Sequence, residues 1–162
     1  MKHKVLWIED GAFAEMQNMS APIYVSGKYD LVIAIDATEG LQQLRQEAKQ
    51  FETIIVDIRL PPGTDPEFQK IYKDRNESRT ASKLGLALLK RVLKEGERNK
   101  IPKHHREASK FGIFTVEGYT ELQAELEDLE VKVYHQKMEL YDRSKLRDII
   151  EEIRTQNLTT KR

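Results

Sequence analysis

The chain contains no cysteine, which excludes a disulfide framework and thiol chemistry. No segment approaches the roughly 20 apolar residues of a membrane-spanning helix, and the first apolar run is too short for a signal peptide. Basic and acidic residues balance at 27 each, so the total charge favours neither nucleic acid nor an anionic membrane as a partner. What remains is a cytoplasmic globular protein of 162 residues, the size of one domain.

Short apolar runs alternate with helical patterns along the chain. The strands are predicted at 4–8, 29–35, 53–56, 111–116 and 131–134, and the helices at 11–20, from the cap Asp36 to Ala48, and at 84–93, 119–129 and 143–153. Such alternation predicts right-handed crossovers and an α/β fold: a doubly wound, five-stranded parallel sheet with helices on both faces. The strand order 2-1-3-4-5 would place a ligand site between the first and third strands.

Three segments do not follow this pattern. Residues 64–83 are polar and charged, and they are interpreted as an insertion between the third strand and the next helix. Residues 94–110 form a second polar connection, in which His104 and His105 are predicted to be solvated. Residues 155–162 are predicted to be a flexible tail that follows a domain spanning 1–154.

Acidic side chains follow two of the central strands. The buried run 53–56 stops at Asp57, before Pro61, Pro62 and Gly63 turn the chain, and the first strand stops at Glu9 and Asp10. When Asp57 is considered alone, a turn or helix-capping role is as well supported as a role in a ligand site. The carboxyl ends of parallel strands share one edge, however, so we expect these carboxylates to converge there.

Converging carboxylates repel one another unless a cation lies among them, and an all-oxygen ligand set suits Mg²⁺. Thr115 and Lys137 follow the fourth and fifth strands, and both should face the same crevice. A metal ion, a hydroxyl and an ammonium around Asp57 would suit a phosphoryl group carried on that aspartate as nucleophile.

The order and spacing of these residues resemble the receiver domain of two-component response regulators (CheY-like), over nearly the whole chain. The resemblance implies metal binding by Glu9, Asp10, Asp57 and the main-chain carbonyl of Arg59, with Mg²⁺ as cofactor. It implies that Asp57 is the phosphoacceptor and that Thr115 and Lys137 assist it. It also implies that Thr115 and the aromatic residue Tyr134 form the switch.

The resemblance further implies that a histidine kinase or histidine phosphotransfer protein donates the phosphoryl group. Output would pass to a separate protein, or through a homodimer, because no output domain fits in the short stretch after Ile153. No membrane or direct nucleic-acid partner is expected. The chain would not be an enzyme beyond its own phosphorylation and dephosphorylation.

Two positions depart from the family pattern, because Val116 stands where a small residue is usual and Met138 where proline is usual. They leave open a pseudo-receiver, a protein-interaction module that does not depend on phosphorylation. A haloacid-dehalogenase-like phosphatase is set aside, because that class needs a second aspartate where this chain has Arg59.

Overall fold

A computed structural model of the chain describes residues 1–74, 83–138 and 142–160. Its centre is a parallel sheet of five strands in the order β2-β1-β3-β4-β5, as predicted. The strands are β1 (His3–Ile8), β2 (Tyr29–Ala34), β3 (Thr53–Val56), β4 (Phe111–Thr115) and β5 (Val133–Gln136). Within the described ranges, no helix is both long and apolar enough to cross a membrane.

Helices cover both faces of this sheet. They are α1 (Ala21–Ser26), α2 (Ala37–Arg45), α3 (Pro66–Asp74), α4 (Leu84–Leu93), α5 (Tyr119–Asp128) and α6 (Lys145–Thr160). One apolar layer joins the sheet to α2, α3, α4 and α5, and the other joins it to the α1 region and α6. Alternate residues of β1 enter the two layers, because successive side chains of a strand point to opposite faces.

The first helix is not where the sequence pattern placed it. Residues 11–20 form turns and a short 3₁₀ segment, and Phe13 of the predicted buried face is 65% exposed. The helix α1 instead begins beside Pro22, whose missing N–H costs nothing in a first turn. It ends at Gly27, whose φ of 68° allows the left-handed C-cap.

Other boundaries move for identifiable reasons. The Asp36 side chain does cap α2, accepting the Glu39 N–H at 2.7 Å, but α2 ends at Arg45 and Ala48 is exposed. The strand β5 lies two residues later than predicted, where Val133 pairs with Gly112. The last helix continues to Thr160, so residues 155–160 of the predicted tail are helical.

The predicted insertion 64–83 contains the regular helix α3 and is not simply a polar connection, although residues 75–82 lie outside the described ranges. Phe68 of α3 is fully buried in the main core. The buried Arg91 of α4 donates to Asp65 at 2.7 Å and to Asn99 at 2.9 Å, and its guanidinium lies 4.6 Å from the Phe68 ring centre. These contacts fix the start of α3 against α4.

The connection 94–110 also differs from its prediction as a solvated loop. His105 is fully buried, accepts the Phe51 N–H at 2.9 Å through Nε2, and donates from Nδ1 to the Leu44 carbonyl at 2.7 Å. Burial is the main reason why the pKa of His105 falls to about 4, so its imidazole is neutral. This side chain joins the end of α2 to the start of β3.

Candidate functional site

Hydrogen bonds between neighbouring strands continue past the strand ends and fix the backbone of three site residues. The Glu9 N–H donates to the last residue of β2 at 2.8 Å, and the Asp57 N–H donates to Ile8 at 3.0 Å. The Lys137 N–H donates to the Thr115 carbonyl at 2.7 Å. Residues that are scattered in sequence therefore meet at the carboxyl edge of the sheet.

Three predicted carboxylates converge at this edge. Glu9, Asp10 and Asp57 each offer an oxygen, and these oxygens all lie within 4.8 Å of one another. Glu9 is 1% and Asp57 3% exposed, whereas Asp10 is exposed. Only one carboxylate of the three therefore faces solvent openly.

Lys137 supplies the positive charge between the two buried carboxylates. Its ammonium donates to Asp57 Oδ2 at 3.0 Å and forms an ion pair with Glu9 Oε1. Burial alone would lower the pKa of Lys137, but the charges of Asp57 and Glu9 outweigh burial and raise it. The ammonium is therefore retained at neutral pH.

The Glu9 carboxyl has an unusual affinity for a proton. Burial and then the nearby charge of Asp57 raise its pKa to about 8, and Lys137 opposes them only in part. Glu9 Oε2 also accepts the Gly11 N–H at 3.0 Å. The pocket thus holds one firmly ionised lysine between carboxylates that compete for its charge.

Thr115 ends β4 and is fully buried. Its hydroxyl oxygen accepts the Glu117 N–H at 3.4 Å, and none of the contacts of the described residues joins it to Asp57. The structure therefore places Thr115 on the strand beside Asp57, while its predicted contact with a phosphoryl group stays a prediction.

Arg59 reaches the site through groups other than the predicted carbonyl. Its N–H donates to Asp57 Oδ1 at 3.3 Å, and its side chain donates to Glu117 Oε1 at 2.6 Å. The predicted metal ligation by its carbonyl is not tested by these contacts. Nothing in the sequence predicts this ion pair, because Glu117 becomes a neighbour of Arg59 only when β3 and β4 pair.

Tyr134, the predicted switch residue, lies half-buried on β5. Its hydroxyl donates to the Glu117 carbonyl, and its ring lies 5.2 Å from that of Tyr119. The segment after β4 is therefore held from two sides, by the Tyr134 hydroxyl and by the Arg59 guanidinium.

Gly85 is a site residue that the sequence analysis missed. It lies in the first turn of α4, and its N–H donates to the Ile58 carbonyl at 2.9 Å. A Cβ at this position would lie 2.6 Å from the Ile58 Cα and would also collide with the Asp57 carbonyl oxygen. Only glycine allows α4 to pack this closely on the segment that carries Asp57.

The chain resembles known proteins in structure and not in sequence. No protein-family model and no curated protein sequence matches the chain. Solved structures do match, among them a CheY-like response regulator receiver domain from Methanospirillum hungatei JF-1, with a TM-score of 0.61 and 19% identity over 98% of this chain and 99% of that one. The receiver domain of Francisella response regulator 1452 has a TM-score of 0.60 and 17% identity, covering 98% of this chain and 99% of its own.

A third similar structure is Vibrio cholerae chemotaxis protein CheY4, with a TM-score of 0.60 and 18% identity, covering 94% of this chain and 99% of that one. The chain has the receiver-domain fold. At identities of 17–19% the likeness establishes the fold alone.

The two departures from the receiver pattern both lie on the outside of the carboxyl edge of the sheet. Val116 is 43% and Met138 65% exposed. Within the described ranges no peptide bond is cis, so the bond before Met138 is trans, as is usual for a residue other than proline. Neither side chain is therefore buried in the carboxylate pocket formed by Glu9, Asp57 and Lys137.

The carboxylate oxygens of Glu9, Asp10 and Asp57 form a ligand set that suits Mg²⁺. Three carboxylates at one edge offer the hard oxygen ligands that this ion prefers, and the exposed Asp10 makes this edge accessible to solvent. Glu9, Asp10 and Asp57 are the residues that would hold it.

Proposed function

We propose that the chain is a response regulator that accepts a phosphoryl group on Asp57. The observation that carries the proposal is the placement of Asp57 beside Glu9, Asp10 and Lys137 at the carboxyl edge of the sheet. Isolated structural aspartates do not need two neighbouring acids and a buried ammonium, whereas a phosphoacceptor needs both ligands and positive charge.

In the proposed reaction a carboxylate oxygen of Asp57 attacks the phosphorus atom of a phosphohistidine. The P–N bond breaks, and its electron pair stays on the imidazole nitrogen of the donor. Lys137 neutralises charge on the oxygens of the transferred group, and the Thr115 hydroxyl donates to them. Bound Mg²⁺ would add positive charge and orient the transferred group.

Release of Lys137 from the unmodified Asp57 carboxylate is the conformational event that we infer. Once a phosphoryl group occupies Asp57, the ammonium and the Thr115 hydroxyl turn to new oxygens, and the segment around Glu117 and Tyr134 repacks. The signal then depends on the difference in contacts between the two states. A downstream protein, or a second copy of the chain, would recognise the altered face.

The donor in this proposal is a sensor histidine kinase or a histidine phosphotransfer protein. The chain would act on itself only and would have no separate substrate. A cytoplasmic location is part of the same proposal.

A pseudo-receiver is the alternative function, and one observation favours it. Asp57 is 3% exposed, and both of its oxygens already have partners, Lys137 on one and the Arg59 N–H on the other. A module of this kind would bind its partner without any phosphoryl transfer.

Incubation with acetyl phosphate and MgCl₂, followed by intact-mass measurement, separates the two functions. We expect the mass of one phosphoryl group to be gained in the wild type, with no gain when the metal is chelated. Asp57→Asn should abolish the gain, whereas Asp30→Asn, at an exposed acid on β2, should leave it unchanged. No gain at any donor concentration would establish the pseudo-receiver, and a gain that persists in Asp57→Asn would place the modification elsewhere.

A further inference from the structure

The amino edge of the sheet, opposite the carboxylate pocket, contains a large groove. A cavity of about 830 Å³ is formed there by the N-terminal residues, the turn after α1, the segment before β3, and Arg154 of α6. A second cavity of about 380 Å³ adjoins it and shares His3, Gln50, Glu52 and Arg154 with it. Each of them has a volume in the range of small-molecule sites.

Positive charge dominates the larger cavity. Lys2, Lys4, Lys28 and Arg154 line it, whereas Glu52 is the only acidic residue in its lining. The whole chain is neutral, with 27 residues of each sign, so this excess is a local concentration. A cleft lined by one sign of charge raises the local concentration of ligands of the opposite sign.

In the part of the chain that the structure describes, the lysines that line the larger cavity are not paired with carboxylates. Among the ion pairs of the described residues, none involves Lys2, Lys4 or Lys28, and the Arg154 pair with Glu151 is long at 3.7 Å. Glu52, the single acid, is held by the Lys4 N–H at 3.0 Å and lies 3.4 Å from His3 Nδ1. The Glu52 carboxylate thus already has two partners of its own, and no ion pair of the described residues joins it to Lys2, Lys4 or Lys28.

The imidazole at the floor of the groove is fixed. His3 Nε2 lies 2.7 Å from the Thr53 hydroxyl, and the ring makes an edge contact with Tyr29. Such rigid support is typical of a binding floor, because little side-chain entropy remains to be lost when a ligand binds.

We infer that this groove is a second ligand site, which binds a small molecule carrying several anionic groups, such as a polyphosphorylated or polycarboxylate metabolite. Three free ammonium groups and a guanidinium around one cavity match two or more anionic groups on one ligand. The site lies at the opposite end of the strands from Asp57, so the inference does not depend on the proposed phosphoacceptor function.

Calorimetric titration with inorganic tripolyphosphate tests the site. The protein is the full chain carrying Asp57→Asn, without divalent metal, so that the carboxylate pocket cannot contribute. We expect saturable binding that weakens as salt is added. The double variant Lys28→Gln, Arg154→Gln should raise Kd by about tenfold or more, because two charge contacts are lost.

The matched control is Lys70→Gln, Lys132→Gln, which removes two exposed lysines outside the groove and should leave Kd unchanged. Citrate in place of tripolyphosphate shows whether the site prefers carboxylates to phosphates, and saturable groove-dependent binding of either supports the inference. No binding of either anion, equal weakening by both double variants, or binding of a DNA oligonucleotide alone would overturn it.

Discussion

Lys137 holds the candidate site together, because its ammonium contacts two buried carboxylates at once. Removing one partner of a buried ion pair leaves uncompensated charge. For Lys137→Met, which keeps the length of the side chain, we expect the free energy of unfolding at pH 7.5 without metal to fall by about 3 kcal/mol. Urea unfolding measures this loss, with Lys132→Met at an exposed position as the control. Equal losses in the two variants would contradict the structural role of Lys137.

His105 gives a pH dependence whose sign follows from the lowering of its pKa by burial. The folded pKa of about 4 lies below the ordinary value near 6.5, so only the unfolded chain takes up a proton between them. The stabilisation from neutral His105 is therefore complete above pH 6.5 and is lost as the pH falls toward 4.

Urea unfolding at pH 7.5 and 4.5 tests this. Between the two pH values, we expect the free energy of unfolding of the wild type to fall by about 2–3 kcal/mol more than that of His105→Gln. His104→Gln, at the half-buried neighbouring position, should retain the wild-type pH dependence. The prediction fails if His105→Gln shows the same pH dependence as wild type.

Some of these residues could be predicted from sequence, and others could not. Glu9 and Asp57 stand directly after apolar runs, where a charged side chain must mark a strand end, and Lys137 follows the last short strand. His105 has no such signal, because a histidine within a basic cluster resembles a solvated loop until its backbone partners are known. Its partners lie 54 and 61 residues away, at Phe51 and Leu44.

At the scale of elements, the position of α4 depends on the absence of a side chain at Gly85. Alanine is a better helix former than glycine by about 1 kcal/mol, so helix propensity alone predicts that Gly85→Ala stabilises the protein. Its Cβ would nevertheless collide with the backbone of Asp57 and Ile58, which cannot move without disturbing β3. We therefore expect Gly85→Ala to lower the free energy of unfolding by about 2 kcal/mol, as measured by urea unfolding.

Gly118→Ala serves as the control, because a Cβ there meets nothing within 4 Å and its φ of −70° suits any residue. We expect a change below about 1 kcal/mol for this variant. If Gly85→Ala proved as mild as Gly118→Ala, the close packing of α4 on the segment of Asp57 would be wrong.

Elements with one strong apolar face were predicted well, and those fixed by polar contacts were not. The pattern of α4 was unambiguous, because most of its residues are apolar and buried. The helix α3 has three large apolar residues, Phe68, Ile71 and Tyr72, within a polar and charged segment. Its start is also fixed by the pairing of Asp65 with the buried Arg91. Such a tertiary contact leaves no periodic trace in the sequence of α3.

At the scale of the whole molecule, two apolar layers share one thin sheet. The order of the strands could be predicted because right-handed crossovers leave few ways to bury both faces. The groove at the amino edge could not be predicted in this way. Its lining comes from four separate parts of the chain: the first residues, the turn after α1, the segment before β3, and Arg154 of α6. A charge pattern distributed in this way is visible only after folding.

The shared sheet implies that the two layers unfold together. Ile153 of α6 is fully buried, and its Cδ1 lies 2.5 Å from where a Cβ would stand on Gly112 of β4. Ile153→Ala should therefore leave a cavity against the sheet and lower the free energy of unfolding by about 3 kcal/mol. Leu158→Ala in the same helix, at a side chain that is 63% exposed, should cost less than about 0.5 kcal/mol.

The cooperativity is tested by two probes of the same unfolding curve. Fluorescence of Trp7, the single tryptophan, reports on the layer that contains Ile153, whereas far-ultraviolet circular dichroism reports on all helices. Because each central strand contributes side chains to both layers, we expect Ile153→Ala to shift the two midpoints by the same amount. A fluorescence midpoint that moves while the dichroism midpoint stays near the wild-type value would show that the α6 layer separates from the rest, and the two layers would then be independent units.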